Sequence, residues 1–200
     1  VGDFSRVLNH AETACDRAGF GSRKSASEAA GKLRGQGLCF YIESILGDPS
    51  ESTRVEFNED GTVCIFVGTQ SNGQGHETVY AKFLSDQTGI PLDNIIVVQG
   101  DSDLIKHGGG TGGSRSVTVQ NNATLATVDK MIESFTLYLA DKMGVASEDI
   151  SFDDETFRAA GSNLTPTFLE VAEMARMDGR GDLLVQEARV TREARSFPNG

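Results

Sequence analysis

Two short glycine-rich segments hold most of the side chains whose types and spacing could do chemistry. The first is Asn72-Gly73-Gln74-Gly75, where one long amide, able to donate and accept at once, stands between glycines. The second is Gly113-Ser114-Arg115-Ser116, two hydroxyls and a guanidinium closing a run with five glycines between positions 108 and 113. Glycine clusters cost backbone entropy and persist where a chain turns sharply or must approach a ligand closely. Each segment precedes a stretch of helical periodicity, so each lies beside unsatisfied N–H groups and the positive end of a helix dipole. That environment suits a phosphate, a pyrophosphate or another anion. Two such starts predict one extended anionic ligand between them. The plainer reading makes both segments solvated loops, with a serine capping the second helix.

Other chemistries fit less well. The residues after Gly113 are Ser114-Arg115, so the segment lacks the Lys-Ser/Thr of a nucleotide-binding P-loop. The long helix that follows has no βαβ acidic partner, which argues against a dinucleotide fold of the Rossmann plan. Asp101 and Asp103 read as a solvated turn, without further carboxylates at calcium-loop spacing. His76 and His107 could be bases or ligands, and exposed loop histidines explain them equally well. Ser114 and Ser116 lack a paired base, so a hydrolase is not expected. The three cysteines form no C-x-x-C pair; Cys39 and Cys64 read as buried small hydrophobes, and a cytoplasmic location is expected from this usage.

Composition bounds the class. The chain of 200 residues has 18 Lys and Arg against 29 Asp and Glu, a net charge of −11, which disfavours nucleic acid as a partner. No apolar run approaches the roughly 20 residues of a membrane span.

The elements that must position the two segments follow from periodicity. Helices are predicted over 3–18 and 25–33, with Asp3 as a cap for the first. Strands are predicted over 38–46, 53–58 and 62–67, the last two joined by the turn Glu59-Asp60-Gly61, giving an antiparallel meander at about 37–67. A helix over 76–88 and a short strand over 94–99 come next. A long helix over 119–143 carries the seam Leu125, Val128, Ile132, Phe135 and Leu139. A hairpin at 150–159, a helix opened by Pro166 and a strand at 183–190 complete the chain. The fold class is therefore α/β (α+β), a mixed sheet with an antiparallel meander packed by helices. Residues 1–36 read as a helical lead-in, 37–144 as the sheet and loop core, and 145–200 as a C-terminal αβ segment.

Four segments in order carry a family resemblance: Asn72-Gly73-Gln74-Gly75-His76-Glu77-Thr78, Gly89-Ile90-Pro91, Val97-Val98-Gln99-Gly100-Asp101-Ser102-Asp103 and Gly110-Thr111-Gly112-Gly113-Ser114-Arg115-Ser116. Together they resemble the large, molybdopterin-binding subunit of the molybdenum hydroxylases, a family that includes xanthine dehydrogenase, aldehyde oxidase and aerobic carbon monoxide dehydrogenase. Lys32-Leu33-Arg34-Gly35 and Thr167-Phe168-Leu169-Glu170-Val171-Ala172 look like the same family.

The resemblance implies part of a molybdenum-cofactor-binding domain. Gly73, Gln74 and Gly75 would lie against the pterin near the molybdenum, and Gly113, Ser114, Arg115 and Ser116 would hold the phosphate end. The Gly-Ser-Arg-Ser form implies the cytosine dinucleotide cofactor. The family's Phe-Arg-Gly-type loop and its catalytic glutamate have no match here, so no catalytic residue carries over. With no Met at Val1 and a turn at Phe197-Pro198-Asn199-Gly200, the chain is expected to be a middle piece of a longer subunit, inactive alone. The complete subunit would hydroxylate aldehydes, purine-like heterocycles or similar substrates with water as the oxygen source, passing electrons to iron–sulfur and FAD partners. The competing readings are a non-catalytic phosphate- or dinucleotide-binding module and a purely structural interaction domain.

Overall fold

A computed structural model describes residues 3–39, 41, 44–159 and 161–191. The chain divides after Ser44 into two compact units. The first holds helices α1 (Phe4–Ala14) and α2 (Phe20–Ala29). Asp3 caps α1 by accepting from the Arg6 N–H at 3.0 Å, which satisfies one of the helix's orphan donors. Neither helix buries a residue. The expected strand over 38–46 is absent from its described residues; Phe40, Ile42 and Glu43 lie outside them. Cys39, read as a buried hydrophobe, is exposed.

The second unit is α/β. Its sheet runs β3-β2-β1-β6, formed by β1 (Ser50–Phe57), β2 (Val63–Val67), β3 (Ile95–Gln99) and β6 (Val185–Thr191). β1 and β2 form the expected hairpin, with Thr53 opposite Val67 and Phe57 opposite Val63. Asp60 turns the chain by accepting from the Thr62 N–H at 3.0 Å and hydroxyl at 2.6 Å. The third antiparallel member is β6, with Ser50 opposite Thr191, instead of the predicted 38–46. A meander needs sequential strands, but the partner of β1 arrives from the far end of the chain.

β3 joins β2 in parallel, Val63 opposite Ile95 and Val67 opposite Gln99, after a crossover through α3 (His76–Thr88). Parallel neighbours leave the sheet at the same end. The two glycine-rich segments follow β2 and β3, so both sit where open α/β sheets place ligands.

Helix α4 (Ser116–Met143) is 28 residues long, about 42 Å at the helical rise. It packs on β1 and β6 and beside α3. Its lower half buries Val128, Met131, Phe135 and Leu139 with Val55, Phe57 and Ile65 of the sheet. Phe135 is the hub of an aromatic group, with ring centroids 5.6 Å from Phe57, 6.0 Å from Phe157 and 5.6 Å from Phe168. The upper half differs: Leu125 is only half-buried, while Gln120, Thr124 and Thr127 are buried against β1. There the Thr127 hydroxyl donates to the Thr53 carbonyl at 2.8 Å, and the Gln120 amide donates to the Ser52 carbonyl at 2.9 Å and to Thr53 Oγ1 at 2.7 Å. Strands β4 (Ile150–Asp153) and β5 (Thr156–Ala159) pair as the expected hairpin. α5 (Phe168–Met177) starts on a reciprocal box of Thr167 and Glu170.

Candidate functional site

The glycine-rich loops are tied at their roots. The loop after β2 begins at Gly68, and Gly108 of the second loop presses against it. A Cβ on Gly68 would stand 2.4 Å from the Gly108 Cα, so this crossing admits only glycine. Above it, the Thr111 hydroxyl donates to the Gln70 carbonyl at 2.5 Å. A third strap joins Leu46 N–H to the Gly113 carbonyl at 2.8 Å.

The first loop is built around Gln74. Its Oε1 accepts from the Asn72 N–H at 2.5 Å and the Ser71 hydroxyl at 3.4 Å, while its amide nitrogen has no partner among the described residues. Gly73 and Gly75 have φ of +106° and +79°, a region that favours glycine, and open space surrounds the position of a Cβ on each. Glu77 stands in the first turn of α3. Its own backbone N–H, then Gln99 and Ser71, hold its carboxyl below the usual carboxylate range. A carboxylate already occupies the positive end of this helix. Beside that carboxylate, the first loop presents the amide of Gln74 between two glycines.

The start of α4 is the opposite case. Its first turn contains no acidic residue. Ser114 is exposed in a left-handed conformation, φ +54°, uncommon for a residue with a side chain. Ser116, the first residue of α4, is buried. The first-turn amides lack intrahelical acceptors by geometry, and no carboxylate answers them. The two helix starts therefore differ: that of α3 carries the carboxylate of Glu77 in its first turn and that of α4 carries none.

Arg115 does not face that site. It is 3% exposed, and all five of its donors are committed inside the protein. Nε donates to the Asp48 carbonyl at 2.8 Å, NH1 to the Gly110 carbonyl at 2.6 Å and NH2 to the Ser50 carbonyl at 2.7 Å. The remaining two reach Glu51 Oε2, each at 3.3 Å. The expected guanidinium–phosphate contact is replaced by an inward clasp, because the buried carboxylate of Glu51 requires a cation.

A buried polar chain links the two helix starts. Gln120 directs its amide to β1, which turns its Oε1 toward Thr69; the Thr69 hydroxyl donates there at 2.9 Å. Having spent its proton, Thr69 Oγ1 accepts from the Tyr80 hydroxyl at 2.7 Å. His76 Nδ1 lies 3.1 Å from the Thr69 carbonyl, which fixes its proton on Nδ1. His76 is thus buried, and the exposed-loop reading fails for it. Burial pushes the Tyr80 hydroxyl up to about 12, so it remains a donor at neutral pH. Asp101 accepts from the N–H of Asp103 at 2.9 Å and of Leu104 at 3.3 Å, the turn expected of it, and His107 is exposed. Among the described residues no three His, Cys, Asp or Glu side chains converge as metal ligands. None of their helices is long and apolar enough to cross a membrane.

Residues 11–198 match the profile of the molybdopterin cofactor-binding domain. The chain belongs to that family. Within it, the chain is 31% identical over 155 residues to the carbon monoxide dehydrogenase large chain of Afipia carboxidovorans, covering 72% of this chain and 19% of that one. It is 28% identical over 166 residues to the nicotine 6-hydroxylase large subunit of Paenarthrobacter nicotinovorans, covering 76% and 20%. Its fold superposes on reconstituted CO dehydrogenase from Oligotropha carboxidovorans with a TM-score of 0.70 and 25% identity, over 98% of this chain and 27% of the other. The chain spans about a fifth of the length of these curated relatives.

The residues present fit the family's cofactor. Open glycine positions flank a donor amide at Gln74, and an unanswered helix start follows Ser114. Sequence reasoning missed Glu51, Thr69, Thr111 and Gln120. One signal was present: two-residue alternation puts Glu51 and Thr53 on the same face as Val55 and Phe57. A carboxylate on the apolar face of a strand demands a buried cation.

Proposed function

We propose that this chain holds molybdopterin in its cytosine dinucleotide form within a molybdenum hydroxylase large subunit. Gly73, Gln74 and Gly75 lie along the pterin, where the uncommitted Gln74 amide donates to it. Gly113, Ser114 and Ser116, with the first amides of α4, take the phosphate end. Arg115 acts from inside, shaping the loop. The supporting observation is the asymmetry between the helix starts: α3 carries its own carboxylate at Glu77 and α4 carries none.

When bound, the molybdenum cofactor supplies a two-electron acceptor. The chain's own contribution is positional: rigid strands aim both loops, and glycines admit the ligand close to the backbone. The complete protein is an oxidoreductase acting on aldehydes, purine-like heterocycles or similar substrates, with water as oxygen source. Iron–sulfur and FAD domains or subunits receive the electrons. The two relatives are named for different compounds, carbon monoxide and nicotine, so membership of the family does not select the substrate.

Val117→Asp tests this reading. Val117 is 40% exposed in the first turn of α4, where a carboxylate interacts favourably with the helix dipole. The substitution should leave the melting temperature unchanged or higher. It should also cut the molybdenum and pterin bound by the complete gene product, expressed in a host that makes the cofactor, at least tenfold. Nucleotide released on acid treatment should be CMP. Undiminished cofactor in Val117→Asp would overturn the assignment of the anion to α4.

A further inference from the structure

We propose that Glu51 is a positioning residue for the cofactor loop, acting through Arg115 and the backbone of Gly109. This rests on the reading of α4 as the seat of the cofactor's anionic end. Glu51 is 2% exposed at the second position of β1. Its Oε1 accepts from the Ser52 N–H at 3.0 Å and its Oε2 from the Gly109 N–H at 3.0 Å. The same Oε2 receives both terminal nitrogens of Arg115. Arg115 in turn grips the Gly110 carbonyl, so one carboxylate and one guanidinium hold two successive glycines of the segment that leads to Ser114. A Cβ on Gly109 would stand 2.6 Å from Arg115 NH2, which shows how closely the backbone rests on the clasp.

A run of glycines has no intrinsic shape, and ordering it needs fixed partners. A buried ion pair is a poor source of net stability, but its directional bonds can select one conformation. Here they select the loop that ends at the anion site. Glu51 touches no candidate ligand surface itself, since its side chain is fully buried.

The pair permits a test with opposite signs. Glu51→Gln removes a negative charge and leaves the buried Arg115 cation near α4. If Glu51 acted only through the local field, the variant would hold an anionic cofactor more tightly. Positioning predicts the reverse. In the complete gene product, molybdenum and pterin per mole of folded protein should fall at least tenfold. Hydrogen exchange of Gly108–Gly113 amides in cofactor-free protein should rise at least tenfold, with the β4–β5 hairpin unchanged. Arg115→Lys keeps the charge and loses the fork, and should shift both readouts in the same direction. Val171→Ala, a core change in α5 away from the loop, should lower the melting temperature yet keep its cofactor.

Wild-type or higher occupancy in Glu51→Gln overturns the proposal. So does unchanged loop exchange, or a cofactor loss no greater than that of Val171→Ala at equal loss of melting temperature. If neither Glu51→Gln nor Arg115→Lys folds, the pair serves global stability and the proposal also fails. Wild-type protein without cofactor would instead refute the function proposed above, and the exchange measurement would still decide the role of Glu51.

Discussion

Gly68→Ala probes the crossing on which both loops rest. Gly68 does not require a left-handed backbone, so the substitution tests space alone. Its new methyl would lie 2.4 Å from the Gly108 Cα and 2.5 Å from Glu51 Oε1. Non-bonded carbons rest about 3.5–4.0 Å apart, so the two backbones must separate by roughly 1 Å or more. Neither neighbour can yield cheaply. Gly108 is main chain, and the Glu51 carboxylate is held by Arg115 and the Gly109 N–H. Overpacking of this kind costs about 1–3 kcal/mol, and the fixed neighbours place this case near 3. For a chain of this size each kcal/mol lowers the melting temperature by about 2–4 °C, giving a drop of about 6–12 °C. Calorimetry measures it directly. Gly108→Ala meets the Gly68 Cα at 2.6 Å and should cost a similar amount. The double variant should depart from additivity, because both methyls force the same seam. Gly35→Ala, with open space and an ordinary backbone, should change stability by less than about 0.5 kcal/mol. A Gly68→Ala protein melting within 1 °C of wild type would refute the idea that the seam is rigid.

Further outcomes follow from the same packing. Thr167→Ala removes the cap of α5 and should cost about 1 kcal/mol in urea unfolding. Phe135→Ala empties the centre of the aromatic group and should cost about 3–5 kcal/mol, with no change in loop hydrogen exchange. Tyr80 is raised from 10.0 to about 12 in the folded chain, so the fold favours its neutral form. Its contribution is complete below pH 10 and fades as pH rises through 10 to 12, amounting to about 2–3 kcal/mol. Tyr80→Phe should abolish that part of the alkaline decline in denaturant titrations across this range, while costing about 1 kcal/mol at neutral pH through lost hydrogen bonds.

Local signals read well where the chain's own neighbours decide the structure. The helix over 76–88 starts and stops as predicted because Gly75 and Gly89, both left-handed, bracket it. The β1–β2 and β4–β5 hairpins are also local. Among the described residues of 38–46 the expected strand does not form, for the opposite reason. Its composition suits a strand, but the place beside β1 is filled by β6, and no local pattern announces a partner so distant in sequence. The seam of α4 was half legible. Phe135 and Leu139 follow apolar spacing, whereas the buried Gln120, Thr124 and Thr127 look like a solvent face until their acceptors on β1 are seen. In the candidate site, the glycine clusters stand out from the chain, yet the direction of Arg115 does not. Whether that guanidinium turns outward or inward depends on Glu51, 64 residues away.

The polar contact between the upper half of α4 and β1 has a mechanical consequence. Apolar contacts can repack around small shifts, but directed bonds have a single register. Rolling the helix or moving it along its axis would break the bonds of Gln120 and Thr127 together. The helix start is therefore a fixed post, against which the clasped glycine ribbon takes its bearings. Repacking around Phe135 can soften the far end of α4 without altering where its first amides aim.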